Sequence, residues 1–245
     1  MDYDYKEGKR RILELLNDPT EIEEVKSIPS DKEFTYDNGY YGWVTALFVD
    51  IRESTKLFAE NKKSSTARII RCFTSETIEI LRKDSNLREI GIRGDCVYAI
   101  YSSDKIKADI EILDKALYIN TYLKMLNTLL SRKKMPEIKA GVGIATHQDL
   151  VIKAGRVGSG INNKVWIGKA VTYASRLSNK ANKDGLSPIL FTKEFYDNII
   201  KTFRKENSNY KDNWFVEYTD KQLGKFYGCS LIKSEFNNWI DGGME

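Results

Sequence analysis

The chain has 245 residues, of which 41% are apolar and 30% charged, with 39 Lys and Arg against 35 Asp and Glu for a net charge of +4. That is enough chain for one substantial core and too apolar for disorder. The single His147 and the scattered Cys72, Cys96 and Cys229 exclude a Cys/His zinc site of standard ligand count and a disulfide framework, and point to a reducing, cytoplasmic setting. No apolar run approaches the roughly 20 residues of a membrane span, and no secretory leader is visible at the start. The basic residues are too evenly dispersed for a nucleic-acid-binding surface.

In chain order, residues 1–38 form an N-terminal helical extension and 39–245 a single domain. Helical spacing over 9–16 (Ile12, Leu13, Leu15, Leu16) stops at Asn17-Asp18-Pro19, and 20–27 predicts a second short helical turn. After Gly39-Tyr40-Tyr41-Gly42, residues 43–50 predict a buried strand. The three aromatics there, Tyr40, Tyr41 and Trp43, suit packing or contact with a second copy. Residues 64–83 predict a helix, 87–93 and 96–101 a hairpin around Gly94-Asp95, and 105–131 a long amphipathic helix. Next come a strand pair at 137–146 and 150–156 with His147 in the intervening loop, a helix at 169–183, a strand at 187–191, a helix at 193–205, and a last strand pair at 214–218 and 226–232. The cysteines suit small buried positions. The order strand, helix, hairpin, helix, strand with a β-rich tail predicts an α+β fold with a ferredoxin-like core.

Three segments offer chemistry. In Phe48-Val49-Asp50-Ile51-Arg52-Glu53-Ser54-Thr55, a carboxylate closes an apolar strand, and Ser-Thr can cap a helix whose first amides attract phosphate. Strand termination alone also accounts for Asp50. In Ile92-Arg93-Gly94-Asp95, an Asp at a hairpin turn is ordinary turn chemistry. Paired with Asp50 on a strand about 5 Å away, however, it makes an all-oxygen site suited to Mg²⁺ or Mn²⁺. In residues 166–177, Thr172 and Arg176 share a helix face and suit a phosphate or a developing oxyanion. An exposed Arg beside a packing stripe of Ala170 and Ala174 is the plain alternative.

Taken together with Ala140-Gly141-Val142-Gly143-Ile144-Ala145-Thr146 and Gly168, Val171 and Arg176, these segments resemble, over about residues 43–232, the catalytic domains of class III nucleotidyl cyclases. The resemblance implies an antiparallel-rich sheet flanked by helices, working as a head-to-tail homodimer. It implies conversion of a nucleoside triphosphate to a 3′,5′-cyclic monophosphate and pyrophosphate with two divalent metal ions, Mg²⁺ or Mn²⁺. Asp50 and Asp95 match the metal-binding aspartates, and Ile51 the residue whose carbonyl binds metal. The turn containing Arg52, Glu53, Ser54 and Thr55 matches the triphosphate-binding amides. Arg176, with Thr172 in place of the usual Asn, matches the catalytic positions contributed by the partner protomer. Lys221 or Lys225 are candidates for a triphosphate lysine.

The two positions that select a purine are non-polar here, Gly91 and Val165, and Arg93 shares strand parity with Gly91. The pattern, with Val165-Trp166-Ile167-Gly168 and the tail Phe226-Tyr227-Gly228-Cys229, is most similar to the pyrimidine cyclases of bacterial Pycsar anti-phage systems. That similarity implies UTP, ahead of CTP, as substrate, and a cyclic nucleotide acting on a separate effector protein, with no membrane insertion. A purine cyclase with atypical base recognition and a catalytically silent nucleotide-binding dimer are the alternatives.

Overall fold

The computed structural model describes residues 3–103, 106–156, 158 and 160–245. Its first helix, α1 (Tyr5–Asn17), opens on Asp4, whose carboxylate accepts the amides of Lys6 and Glu7 at 3.0 and 3.1 Å. The helical turn expected over 20–27 is instead a short edge strand, β1 (Glu21–Glu24), running parallel to the start of β2 (Asn38–Ile51) from Glu21 opposite Asn38 to Glu24 opposite Tyr41. A helix there would set Glu21 and Glu24 on one face as like charges. The strand instead lays Ile22 over Gly39, where any side chain would meet the Ile22 Cδ1. The residues between β1 and β2 stay on the sheet: Ile28 and Phe34 are buried against Val44, Ala46 and Phe48.

Strand β2 is the spine, and it starts five residues earlier than the apolar run suggested. Its odd residues Leu47, Val49 and Ile51 join one core, and its even residues Val44, Ala46 and Phe48 another. Burial on both faces explains why the strand is continuously apolar and not alternating. The chain continues through α2 (Ser54–Glu60), α3 (Lys63–Arg82), the hairpin β3 (Leu87–Arg93) and β4 (Cys96–Ser102), and α4 (Ile106–Arg132). The expected first residue of α4, Lys105, lies outside the described residues. Then follow β5 (Ala140–Gly155), β6 (Asn162–Ile167), α5 (Lys169–Lys180), β7 (Ile189–Thr192), α6 (Lys193–Glu206), the hairpin β8 (Val216–Asp220) and β9 (Gly224–Cys229), and α7 (Ser234–Asp241).

The sheet runs β3-β4-β2-β5-β7-β9-β8, with β1 beside β2 and β6 beside β5. Along the sheet β3–β4, β4–β2 and β2–β5 are antiparallel pairs, and among the described residues the parallel pairs are β1 with β2 and β5 with β7. This is the expected α+β, ferredoxin-like core. Helices α3, α4 and α6 bury their apolar stripes on one face, and α5 packs on the other beside Ile28 and Phe34.

Three expectations are corrected. The pair expected at 137–146 and 150–156 is one unbroken strand, because β5 pairs with β2 over its length, from Ala140 opposite Ile51 to Ile152 opposite Gly39. His147 is therefore a strand residue opposite Val44, not a loop residue. The second half of β5 pairs with β6 instead, from Leu150 opposite Ile167 to Gly155 opposite Asn162. Of the cysteines only Cys229 is buried; Cys96 is half-buried and Cys72 lies exposed on α3.

Candidate active site

Asp50 is the penultimate residue of β2 and has the parity of Phe48, so it lies on the face covered by α5. It stands opposite Cys96, the residue after Asp95, and the β3–β4 turn is closed by Gly94 at φ 64°. The side chain of Arg52, only 5% exposed, folds back over this strand end. Its Nη2 donates to the Asp50 carboxylate and, at 3.0 Å, to the Asp50 carbonyl; Nε reaches the same carbonyl at 3.2 Å, and Nη1 donates to the Asn179 carbonyl at 2.5 Å. Burial raises the pKa of Asp50 above the usual carboxylate range; Arg52 opposes this, Asp95 adds to it, and the charge of Lys183 lowers it again. Burial, with Asp50 next in effect, pushes the Cys96 thiol up to about 12. Among the described residues no group of three or more His, Cys, Asp or Glu gathers. The donors on offer at this end are thus two carboxylates and backbone oxygen.

Beyond β2 the backbone turns sharply. The Arg52 amide donates to the Lys139 carbonyl at 2.8 Å, and Glu53 holds a left-handed conformation at φ 54°. Non-glycine residues adopt that region at a cost of about 1–3 kcal/mol, and such strain gathers at functional sites. The expected Ser-Thr cap is absent: Glu53 occupies the N-cap position of α2 without a side-chain bond, and Ser54 begins the helix. The amides of Glu53, Ser54 and Thr55 thus stand at a helix start, where intrahelical partners are lacking. The turn borders a cleft of about 570 Å³ lined also by Lys56, Lys139 and Lys183.

Helix α5 lies directly on β5. A Cβ on Gly141 would sit 2.6 Å from the carbonyl oxygens of Ser178 and Ala181, and one on Gly143 would collide with the backbone at Ala174 and Ser178. Thr172 and Arg176 face solvent on this helix. The Thr172 hydroxyl donates to its own helix at the Gly168 carbonyl, 2.9 Å away. Arg176 has no hydrogen bond or ion pair among the described residues and borders a smaller cleft with Lys183 and Gln222. Lys225 is engaged by Glu217 at 2.9 Å, while Lys221 is exposed at the β8–β9 turn.

Within β3, two residues before Arg93, Gly91 lies opposite Tyr98, and a Cβ on it would come 2.7 Å from the Tyr98 ring. Tyr98 stacks on Phe48 with ring centroids 5.3 Å apart and donates its hydroxyl to Glu89 Oε1 at 2.8 Å. The Trp166 indole donates to Glu89 Oε2 at 2.8 Å. Lys164, of the same parity as Trp166, donates to the Arg88 carbonyl, so β6 reaches β3 through Lys164 and Trp166, and Val165 between them belongs to the opposite face of the strand. Arg93 is exposed near the turn. Sequence reasoning missed Glu89, Tyr98 and Trp166. The available signal was parity, since Glu89 repeats the period-two face of Gly91 and Arg93.

The family described as "Adenylate and Guanylate cyclase catalytic domain" matches residues 37–213. A protein of Treponema porcinum named "Uridylate cyclase" is 48% identical over 244 residues, covering 100% of this chain and 83% of that one. A protein of Gulbenkiania mobilis with the same name is 35% identical over 249 residues, covering 98% and 96%. Among solved structures, the adenylyl cyclase CyaB from P. aeruginosa superposes with a TM-score of 0.63 at 18% identity, covering 78% of this chain and 95% of its own, which speaks to the fold.

Proposed function

Because the chain belongs to the adenylate and guanylate cyclase catalytic domain family and is a nucleotide cyclase, we propose that its substrate is a pyrimidine nucleoside triphosphate, UTP ahead of CTP. The observation that carries this reading is 48% identity over the whole chain to a protein named for uridylate cyclisation. The filled space at Gly91 agrees with it, since the Tyr98 ring stands where a purine-selecting side chain would project.

In the reaction the 3′-hydroxyl loses its proton, its oxygen bonds to the α-phosphorus, and the bond from that phosphorus to pyrophosphate breaks. Asp50, Asp95 and the Ile51 carbonyl would hold two divalent ions, Mg²⁺ or Mn²⁺; the all-oxygen donor set fits hard cations. When bound, such ions offset phosphate charge and make the attacking hydroxyl more acidic. The rest falls to the chain itself. Arg52 keeps the Asp50 carboxylate oriented, and its own amide is already committed to Lys139. The amides of Glu53, Ser54 and Thr55 donate to the phosphate chain. The active unit is a head-to-tail homodimer, in which Arg176 of one protomer donates to the charge that develops at the other protomer's α-phosphate, with Thr172 beside it. An exposed arginine with no hydrogen bond or ion pair among the described residues suits that task. The product serves as a messenger to a separate effector protein in anti-phage defence.

The test is incubation with each of the four nucleoside triphosphates and Mn²⁺, with separation of products. Cyclic UMP is the expected main product; cyclic AMP or cyclic GMP in its place would overturn the pyrimidine reading. Asp50→Ala and Asp95→Ala each abolish turnover while the dimer persists in sedimentation. Full activity in both variants would remove the carboxylates from the mechanism.

A further inference from the structure

Helix α5 carries Thr172 and Arg176, yet it begins on a residue that cannot cap it. Gly168 holds the N-cap position and has no side chain to offer the amides two and three residues on. Those amides are ordinarily met by an N-cap oxygen. Here a carboxylate from the neighbouring strand meets them. Asp149 of β5, 0% exposed, accepts the Ala170 amide at 3.2 Å on Oδ1 and 3.1 Å on Oδ2, and the Val171 amide at 3.5 Å on Oδ2. Its Oδ1 also lies 3.4 Å from Nδ1 of His147, the one histidine of the chain. A Cβ on Gly168 would collide with the Asp149 carboxylate, so the missing side chain leaves the room that the remote cap fills.

The far end of α5 is held as well, by Arg52 on the Asn179 carbonyl and by the Asn182 amide group on the Ala140 carbonyl at 3.1 Å. Between the two ends the helix rests on Gly141 and Gly143. Such a close backbone contact sets its height above the sheet but leaves sliding along the strand and rotation to the anchors. Arg176 lies about one and a half turns beyond the Asp149 contact, so an error at the start of the helix is carried to its guanidinium.

We infer that Asp149 is a positioning residue for cyclisation, a buried remote cap that fixes the start of α5 and through it the place of Arg176. This rests on the reading of Arg176 as a catalytic residue. A displacement of about 1 Å in a catalytic group costs on the order of a hundredfold in rate, and a partial loosening costs less.

The experiment is a double-mutant cycle on the full-length dimer. Asp149→Asn keeps the shape of the side chain and weakens the charge-assisted bonds to the amides. Alone, it lowers kcat about tenfold and leaves KM within about twofold, because Arg176 acts on the transition state. In an Arg176→Ala background it causes no further loss, since the residue it positions is gone. Losses that multiply in the double variant, with Arg176→Ala itself impaired, make Asp149 a general support of the fold and overturn the inference alone. An Arg176→Ala variant as active as the wild type sinks the assignment of Arg176 and this inference with it. An Asp149→Asn variant of unchanged kcat overturns it too. If that variant fails to form the dimer, amide exchange in the wild type decides: the Ala170 amide is expected to exchange as slowly as those of the central strands, and fast exchange overturns the cap.

Discussion

Replacing Gly141 by Ala tests whether the close seat of α5 on β5 serves activity. Gly141 stands opposite Asp50 across the β2–β5 ladder. The new methyl would lie 2.6 Å from the carbonyl oxygens of both Ser178 and Ala181 and 2.9 Å from the Ala181 Cβ. Two of those three atoms are backbone and cannot swing aside. Carbon and oxygen rest about 3.3 Å apart even in a favourable C–H···O contact, so the end of α5 must rise by about 0.7 Å. Overpacking of this kind costs about 2 kcal/mol, which in a chain of this size lowers Tm by about 4–8 °C. The rise also stretches the bond from Arg52 to the Asn179 carbonyl, one residue beyond Ser178. Displacement on that scale lowers the rate by about 10- to 100-fold, and the loss falls on kcat if α5 serves the transition state. Thermal melting and steady-state turnover of the Gly141→Ala protein measure both. A variant with Tm within about 1 °C of wild type and undiminished kcat would refute the claim that glycine is needed for this contact. A lowered Tm with full kcat would separate packing from catalysis at this end of α5.

Two further predictions concern the thiols and acid stability. Burial pushes both Cys96 and Cys229 up to about 12, so at pH 8 only about one thiol in ten thousand is ionised at either position. Iodoacetamide at that pH should label the exposed Cys72, read by peptide mass spectrometry, and rapid labelling of Cys96 would show that the strand end beside Asp50 is open. Asp220 is held at about 2, below its ordinary 3.8, by the Lys180 ammonium and then by the amides of Gln222 and Leu223. A depressed carboxylate contributes stability that is fully present above its unfolded pKa and is lost as pH falls through the folded one. The contribution therefore fades between about pH 4 and pH 2. Melting curves of Asp220→Asn should fall less steeply over that window than those of the wild type, and identical slopes would remove the Lys180–Asp220 pair from the acid response.

The core was legible because its signals are local. The apolar run before Asp50, the Gly94-Asp95 turn and the long helix α4 each announce themselves within a few residues, and they fix the order strand, helix, hairpin, helix, strand. β5 was misread for a specific reason. His147, Gln148 and Asp149 after Thr146 look like a polar loop, yet Thr146 and Asp149 are 2% and 0% exposed. Their partners come from elsewhere in the chain. The Thr146 and Thr45 hydroxyls lie 2.6 Å apart, and the Thr45 hydroxyl donates to the buried Asp109, which also accepts from Ser103 and Asn198. Asp149 is met by the start of α5. A polar residue can stay inside a strand when a distant element satisfies it, and no local pattern reports that. The same holds for β1, whose Ile22 needs Gly39, and for β6, whose Trp166 is placed by Glu89 on β3.

The candidate site divides along the same line. Its residue types were readable from spacing, since Asp50, Asp95 and Arg176 sit in short motifs. What each neighbour does was not. Arg52 stands inside the motif that suggests phosphate binding, and a cation there invites the same assignment. Its side chain is nearly buried and is bonded to Asp50 and to a carbonyl 127 residues later in the chain. A guanidinium has five donors in a rigid fork, and here they join the end of β2 to the last turn of α5. In the proposed head-to-tail dimer those two elements would serve different active sites, Asp50 in one and Arg176 in the other. Arg52 would then bond within one protomer to a part of each site, its charge engaged by Asp50 and the Asn179 carbonyl. In the proposed mechanism the phosphate chain would be left to the amides of Glu53, Ser54 and Thr55, whose position depends on the left-handed Glu53. That division of labour explains why a strained turn and a buried arginine occur in adjacent residues.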